Sequence, residues 1–244
     1  MAVKYIELVG VAGVGKTTVT QLLLEASKSK FIDIKARGRV GKNLWFNIQI
    51  IFEILLILIS TPGILSLYFL SPKKTFAQTK YVQKVKRDLV TRMIVDTAVI
   101  RCLLSRSTGF IINDEGLLGK LVSLSIITDL DPAKIQTLVQ KLLPINPYLI
   151  FVTSPSITAS NRVRTRPSKL PFFDNMASDV RKNFFNDALI KYDELSKILS
   201  SNFNIMLSII DNSGDFNNLV DQVDVLSLKI KDLHQSHSNG EYNI

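Results

Sequence analysis

The chain has 244 residues, 46% of them hydrophobic, and a formal charge of +9, a length that suits one sizeable domain, or one with a lid, around a substantial core. Its one cysteine, Cys102, excludes an intrachain disulfide framework, and histidines confined to His234 and His237 near the C-terminus argue against a Cys/His zinc site. The positive charge calls for acidic partners such as phosphorylated ligands or an anionic membrane face, while specific nucleic-acid binding finds no zinc finger, RNP-type motif or basic zipper to support it.

The start, MAVKYIELVG, has no secretory apolar segment and runs directly into a buried first strand over residues 3–9, so the expected location is the cytoplasm. Residues 10–17, GVAGVGKT, then satisfy G-x-x-x-x-G-K-[ST] at every fixed position, between that strand and a helical pattern. Gly10, Gly13 and Gly15 let the backbone turn sharply against a phosphate chain, so that the N–H groups around Val14, Lys16, Thr17 and Thr18 and the positive helix end face its oxygens. Lys16 is expected to reach the β- and γ-phosphates and the Thr17 hydroxyl to ligate Mg²⁺, which makes a nucleoside triphosphate the expected ligand. The helix that carries the loop is predicted over residues 17–28, with Val19, Leu22, Leu23 and Ala26 at helical spacing.

A second short strand over 31–36 delivers Arg37, Gly38, Arg39 and Lys42 to the sheet edge where open α/β folds bind ligands, and Arg37 and Arg39 are candidate anion ligands for a second substrate. Residues 44–70 are apolar enough to suggest a membrane span. Glu53 lies inside that run, however, and Pro62-Gly63 divides it into pieces too short to span singly. A single crossing would also separate the glycine-rich loop from the later acidic strand. The reading is therefore a buried helix over 44–60, a Pro-Gly turn and a shorter apolar piece, with a surface-lying membrane contact as the alternative.

A long helix is predicted over 75–105, on which Arg92 and Asp96 are spaced to pair with each other or to meet a substrate. Phe110 to Asn113 reads as a strand ending in Asp114 and Glu115. An acid at that place holds Mg²⁺ in enzymes with such a loop, so Asp114 is the candidate metal residue, beside Thr17, and Glu115 the candidate general base. Helices follow over 117–127 and from Asp131-Pro132 to Leu143, then a fourth strand, YLIFV, over 148–152. Ser154-Pro155 opens a helix leading to Arg162, Arg164, Arg166, Pro167 and Lys169, a cationic segment able to fold over a triphosphate as a lid at about 155–170. The dull alternative is a solvated helix end. Ser178 is expected to cap a helix to Leu199, a fifth strand runs over 204–210 into Asp211, and Asp215 caps a last helix to about residue 233. Residues 234–244 read as a disordered tail after a single domain over 1–233.

This order of parts resembles the thymidylate kinase-like branch of the P-loop nucleoside monophosphate kinase superfamily, over nearly the whole chain to about residue 233. The resemblance implies an α/β, three-layer fold with a five-stranded parallel sheet flanked by helices and an Arg-rich lid, with ATP and Mg²⁺ as phosphoryl donor. It implies triphosphate contacts at Gly13, Gly15, Lys16 and Thr17, the metal-bearing acid at Asp114, acceptor contact at Arg92, and transition-state charge at Arg162 and Arg166. Thymidylate kinases follow the acid with Arg and an aromatic, where this chain has Glu115-Gly116; their Glu-Pro-Gly loop is here Arg37-Gly38-Arg39.

The leading expectation is thus a Mg²⁺-ATP-dependent kinase acting on a nucleotide, nucleoside or sugar-type acceptor, with Lys16, Glu115, Arg162 and Arg166 as the catalytic set and homodimerisation left open. The alternative is an ATPase or nucleotide-regulated switch, with Glu115 activating water, at the membrane surface if residues 44–70 lie there. Guanine specificity has no Asn-Lys-x-Asp run behind it.

Overall fold

The apolar run Tyr5–Val9 forms β1, buried along its whole length at the centre of a parallel sheet. The computed structural model describes residues 5–26, 31–33, 44–77, 81–106, 109–143, 147–165, 173, 176–202 and 205–238. The other strands are β2 (Phe31–Asp33), β3 (Phe110–Asn113), β4 (Tyr148–Thr153) and β5 (Met206–Asp211), and the order across the sheet is β2-β3-β1-β4-β5. Every pairing is parallel: Tyr5 faces Ile111 on one side of β1, and Ile6 faces Tyr148 on the other. Strands buried on both faces need apolar residues at nearly every position, and FIIN and YLIFVT supply them.

Helices cover the sheet. The helix α1 (Lys16–Ala26) follows β1 and packs against the last helix, Phe216–Ser238. The second helical layer is built from Val82–Leu104, Leu117–Ile127 and Ser178–Asn202, packed on one another. In chain order the remaining helices are α2 (Leu44–Ser60), α3 (Lys74–Ala77), α6 (Pro132–Leu142) and α7 (Ser156–Thr165), so that Val82–Leu104 is α4, Leu117–Ile127 is α5, Ser178–Asn202 is α8 and Phe216–Ser238 is α9. Asp131 caps α6 as its sequence predicts, its carboxylate accepting from the Ala133 N–H at 2.9 Å with proline in the first turn. Asp215 does the same for α9 through the Asn218 N–H at 2.8 Å.

Several expectations need correction. The helix predicted over 75–105 is two pieces, α3 and α4, and Tyr81 precedes α4 with φ of 73°, a left-handed conformation that no helix interior accommodates. Ser178 is the first helical residue rather than the cap, because the Ala177 carbonyl accepts the first helical bond, from Arg181 at 2.8 Å. The last helix runs on through residues 234–238, into the stretch read as tail. The strand expected over 31–36 is described only as Phe31–Asp33, and Arg37, Arg39 and Lys42 lie outside the described residues.

The largest correction concerns α2. It is a helix over the predicted residues, but it is not buried: Phe46 and Ile57 are its only buried side chains, whereas Leu44, Trp45, Ile48, Ile51, Phe52, Leu55, Leu56 and Ile59 are 39–77% exposed. A helix that is apolar on every face can bury only the faces its neighbours reach. Here those neighbours are α4 and the 3₁₀ segment Pro62–Phe69, both lying against one side.

Candidate functional site

The glycine-rich loop leaves β1 at Gly10 and enters α1 at Lys16, so the positive end of a helix points at the sheet's carboxyl edge. Two of its glycines are required by geometry. Gly13 has φ of 85°, and a Cβ there would lie 2.3 Å from the Ala159 carbonyl oxygen; Gly15 has φ of 97°, and a Cβ there would lie 2.2 Å from the Asn212 amide nitrogen. The loop is thus pressed from outside by α7 and by the turn after β5. That turn also fastens it: the Asn212 side chain donates to the Val14 carbonyl at 2.6 Å, and the Tyr192 hydroxyl of α8 donates to the Gly10 carbonyl at 3.2 Å.

Strand order then supplies the acid. Because β3 is the immediate neighbour of β1, the turn after Asn113 sets Asp114 beside the start of α1, and the Thr17 hydroxyl donates to the Asp114 carboxylate at 2.9 Å. Asp114 is buried, whereas Glu115 is exposed and faces the same cleft. Lys16 extends back along the loop, its ammonium donating to the carbonyls of Gly10 at 2.7 Å and Val11 at 3.0 Å. Two hard oxygen donors in contact at the mouth of a phosphate loop suit Mg²⁺, which keeps most of its shell as water and phosphate oxygen. Among the described residues no group of three or more His, Cys, Asp or Glu forms a closed metal cage. Thr17 and Asp114 are therefore the residues that would hold the ion, with the phosphates supplying the rest.

The cleft has a volume of about 830 Å³ and extends well past the loop. Gly10, Gly13, Gly15, Lys16, Thr17, Thr18 and Arg162 line it together with Lys84, Asp88 and Arg92 of α4 and with Phe173 and Phe184. Val14 is buried behind the loop and presents no side chain to the cleft. Arg162 reaches the loop from α7 and donates to the Asn212 carbonyl at 3.5 Å, while Arg166 and Lys169 lie outside the described residues.

Arg92 and Asp96 do not pair with each other. Asp96 instead binds Lys120 of α5 at 2.8 Å, and Lys120 also donates to the carbonyls of Glu115 and of Gly116, the latter at 3.2 Å. This ties the turn that carries Asp114 to α4. Below it, Glu7 of β1 is fully buried, accepting from the Leu118 N–H at 2.6 Å and the Tyr5 hydroxyl at 2.9 Å. The carboxyl group thus sits at the N-terminus of α5, where the helix dipole favours negative charge. Burial nevertheless raises its pKa above 4.5, opposed by the Leu118 N–H and by Lys120. Gly116 is what admits it, since a Cβ there would fall 2.0 Å from the Glu7 carboxyl carbon.

Lys120, Glu7, Tyr192 and Asn212 are site residues that sequence reasoning passed over. Two of them had a signal: Glu7 is the lone charge in YIELV, and Lys120 the lone charge in LLGKLVSLSII. A single ionised residue inside an apolar element must find a partner, and both do so under the same turn.

No family model matches the chain, and no curated protein matches it. Solved structures do. The chain is similar to deoxyadenosine kinase from M. mycoides with bound dATP at 14% identity and a TM-score of 0.54, covering 93% of this chain and 98% of that one. The same enzyme with products dCMP and a flexible dCDP bound aligns at 16% identity and a TM-score of 0.53, over 94% and 99% of the two chains. At these identities the likeness establishes the fold alone, a parallel sheet flanked by helices shared with the M. mycoides enzyme.

Proposed function

We propose that this chain is a Mg²⁺-ATP-dependent phosphotransferase, thymidylate kinase-like in its layout, acting on a nucleotide, nucleoside or sugar-type acceptor. One observation carries the reading: the cleft lined by the glycine-rich loop and the Thr17–Asp114 pair has a volume of about 830 Å³ and is lined as well by Arg92, Asp88 and Lys84 of α4 and by two phenylalanines. Hydrolysis needs room only for water; a cleft of this volume with ionic and aromatic lining beyond the loop residues suits a second molecule. A nucleotide or nucleoside acceptor is favoured by the M. mycoides enzyme, whose structures contain dATP, dCTP and dCMP.

In this reading the loop amides and Lys16 hold the triphosphate, Thr17 and Asp114 hold Mg²⁺, and Arg162 and Arg166 meet charge that grows on the transferred group. The ion, when bound, neutralises phosphate oxygens. Arg92 binds the acceptor, with Arg37 and Arg39 as further anion ligands, and Glu115 accepts the proton of the attacking hydroxyl. Positioning and charge neutralisation supply most of the rate, since phosphoryl transfer needs little covalent help. The working location is the cytoplasm.

Incubating the purified chain with ATP and panels of nucleotides, nucleosides and sugars, read by mass spectrometry, tests this. One acceptor should gain a phosphoryl group and accelerate ATP consumption. Strong turnover with no acceptor would instead establish an ATPase, in which Glu115→Gln should trap ATP unhydrolysed.

A further inference from the structure

The exposed side of α2 and its neighbouring segment has no task in the phosphoryl-transfer reading. On a helical wheel the exposed residues Leu44, Trp45, Ile48, Ile51, Phe52, Leu55, Leu56 and Ile59 form one unbroken apolar arc, and Leu65 and Phe69 of the 3₁₀ segment are exposed as well. Glu53 is the only charged residue in both pieces, and it is turned away from that arc, 3.7 Å from Arg101 of α4. Soluble monomers rarely expose a contiguous apolar patch larger than a few hundred Å² without using it.

The arc has one polar flank, and the flank is cationic. Beside Gln49 lies Arg106, which donates to its side chain and stacks 5.3 Å from the Phe46 ring centre. Beside Glu53 lies Arg101. Beside Ser60 lies Lys141, donating to its carbonyl at 3.4 Å, and beside Ser66 lies Lys134, donating to its hydroxyl. Three further cations, from the C-terminal turn of α4 and from α6, thus lie against these apolar segments, whose single acid Arg101 already matches.

We infer that this face docks the protein on an anionic lipid surface, with α2 and the 3₁₀ segment lying in the interface and Arg106, Lys141 and Lys134 meeting lipid headgroups. Apolar side chains that enter the acyl boundary beside a row of Lys and Arg are the two attractions such binding requires. The mode is surface-lying: no described helix is long and apolar enough to cross a bilayer, and the pair that together reaches that composition is bent by 85° at the break. A second copy is the less suitable occupant, because a two-fold contact repeats the same cationic flank on both sides.

Trp45 is the chain's only tryptophan and stands 74% exposed on the docking face, so its fluorescence reports occupancy directly. The full chain is mixed with vesicles of phosphatidylcholine alone or with phosphatidylglycerol added, at low and high salt, and followed by Trp45 emission and co-sedimentation. Blue-shifted emission and sedimentation with the anionic vesicles, weakened by salt, are expected. Ile48→Gln with Leu55→Gln should lower binding on the order of tenfold or more, and Lys134→Gln or Lys141→Gln by about fivefold each.

Each variant is checked for a cooperative melt and for ATP binding, so that loss of the fold, or of the nucleotide reading, is seen separately. A folded chain that ignores both kinds of vesicle overturns the inference. Equal binding to neutral vesicles overturns the role of the cations. A concentration-dependent dimer abolished by Ile48→Gln with Leu55→Gln assigns the face to a second copy.

Discussion

The phosphate edge of the sheet and the α2 face are opposite solutions to being in water. At the phosphate edge, polar groups are withdrawn from solvent and tied to named partners: Asp114 to Thr17, Asn212 to Val14, Lys120 to Asp96, Glu7 to Leu118. On α2 the reverse holds, with large apolar side chains left outside and little polar structure to explain them. The first region is determined by internal consistency, since each buried polar group forces the position of another. The second is held by the fold on one side only, which teaches that a sequence can specify an element fully while leaving its outer face to something beyond the domain.

The sharpest way to break the contrast is at Lys16. If the proposed function holds, Lys16→Ala removes the ammonium that meets the triphosphate and should lower phosphoryl transfer on the order of 10²–10³-fold while leaving the melting temperature nearly unchanged, measured by turnover and calorimetry. A loss of stability matching the loss of turnover would make the residue structural instead.

Within α2 itself, Ile57 and Ile59 differ by two positions and by 0% against 77% exposure. Ile57→Ala should cost about 2–5 kcal/mol in denaturant unfolding, and Ile59→Ala within about 0.5 kcal/mol, because only the first opens a cavity. Equal costs would mean the outer face is covered in solution.

Gly13→Ala should destabilise by about 1–3 kcal/mol from its backbone conformation alone, with a further cost where the methyl group meets the Ala159 carbonyl, and should abolish ATP binding. Binding calorimetry and unfolding read the two effects apart. A variant that binds ATP normally would show that the loop relaxes freely.

The smallest effect is one of slope. Glu7 has a raised pKa in the fold, so between its unfolded and folded values the native state holds more protons, and its contribution to stability falls as pH rises above about 4.5. Melting temperatures of the wild type and Glu7→Gln, followed from pH 4 to 8, should show the wild type losing ground relative to the variant as pH increases. Parallel curves would place the Glu7 pKa at its ordinary value.

Much of this was legible from local pattern. Residues 10–17 announced the strand-to-helix turn because strand, glycines, lysine and helix arrive in one uninterrupted stretch, and the placing of Asp114 at a strand end could be read from the short apolar run before it. Asp131 and Asp215 signalled their helices by capping chemistry alone. The pairing of Asp96 was not legible: Arg92 is its neighbour one turn away, and only the packing of α4 on α5 brings Lys120 closer. Nor was the break before α4, because the helical spacing continues through Tyr81 while its backbone does not.

What the sequence determined by itself is carried by contiguous residues: the cores of the strands and of most helices, the caps at Asp131 and Asp215, the glycine-rich turn between β1 and α1, and the apolar character of α2. What the tertiary structure decided is which faces those elements share. Burial is a property of pairs of surfaces, so no reading of α2 alone could tell that its outer arc stays exposed. Likewise, Thr17 and Asp114, 97 residues apart, come within 2.9 Å only because β3 lies beside β1.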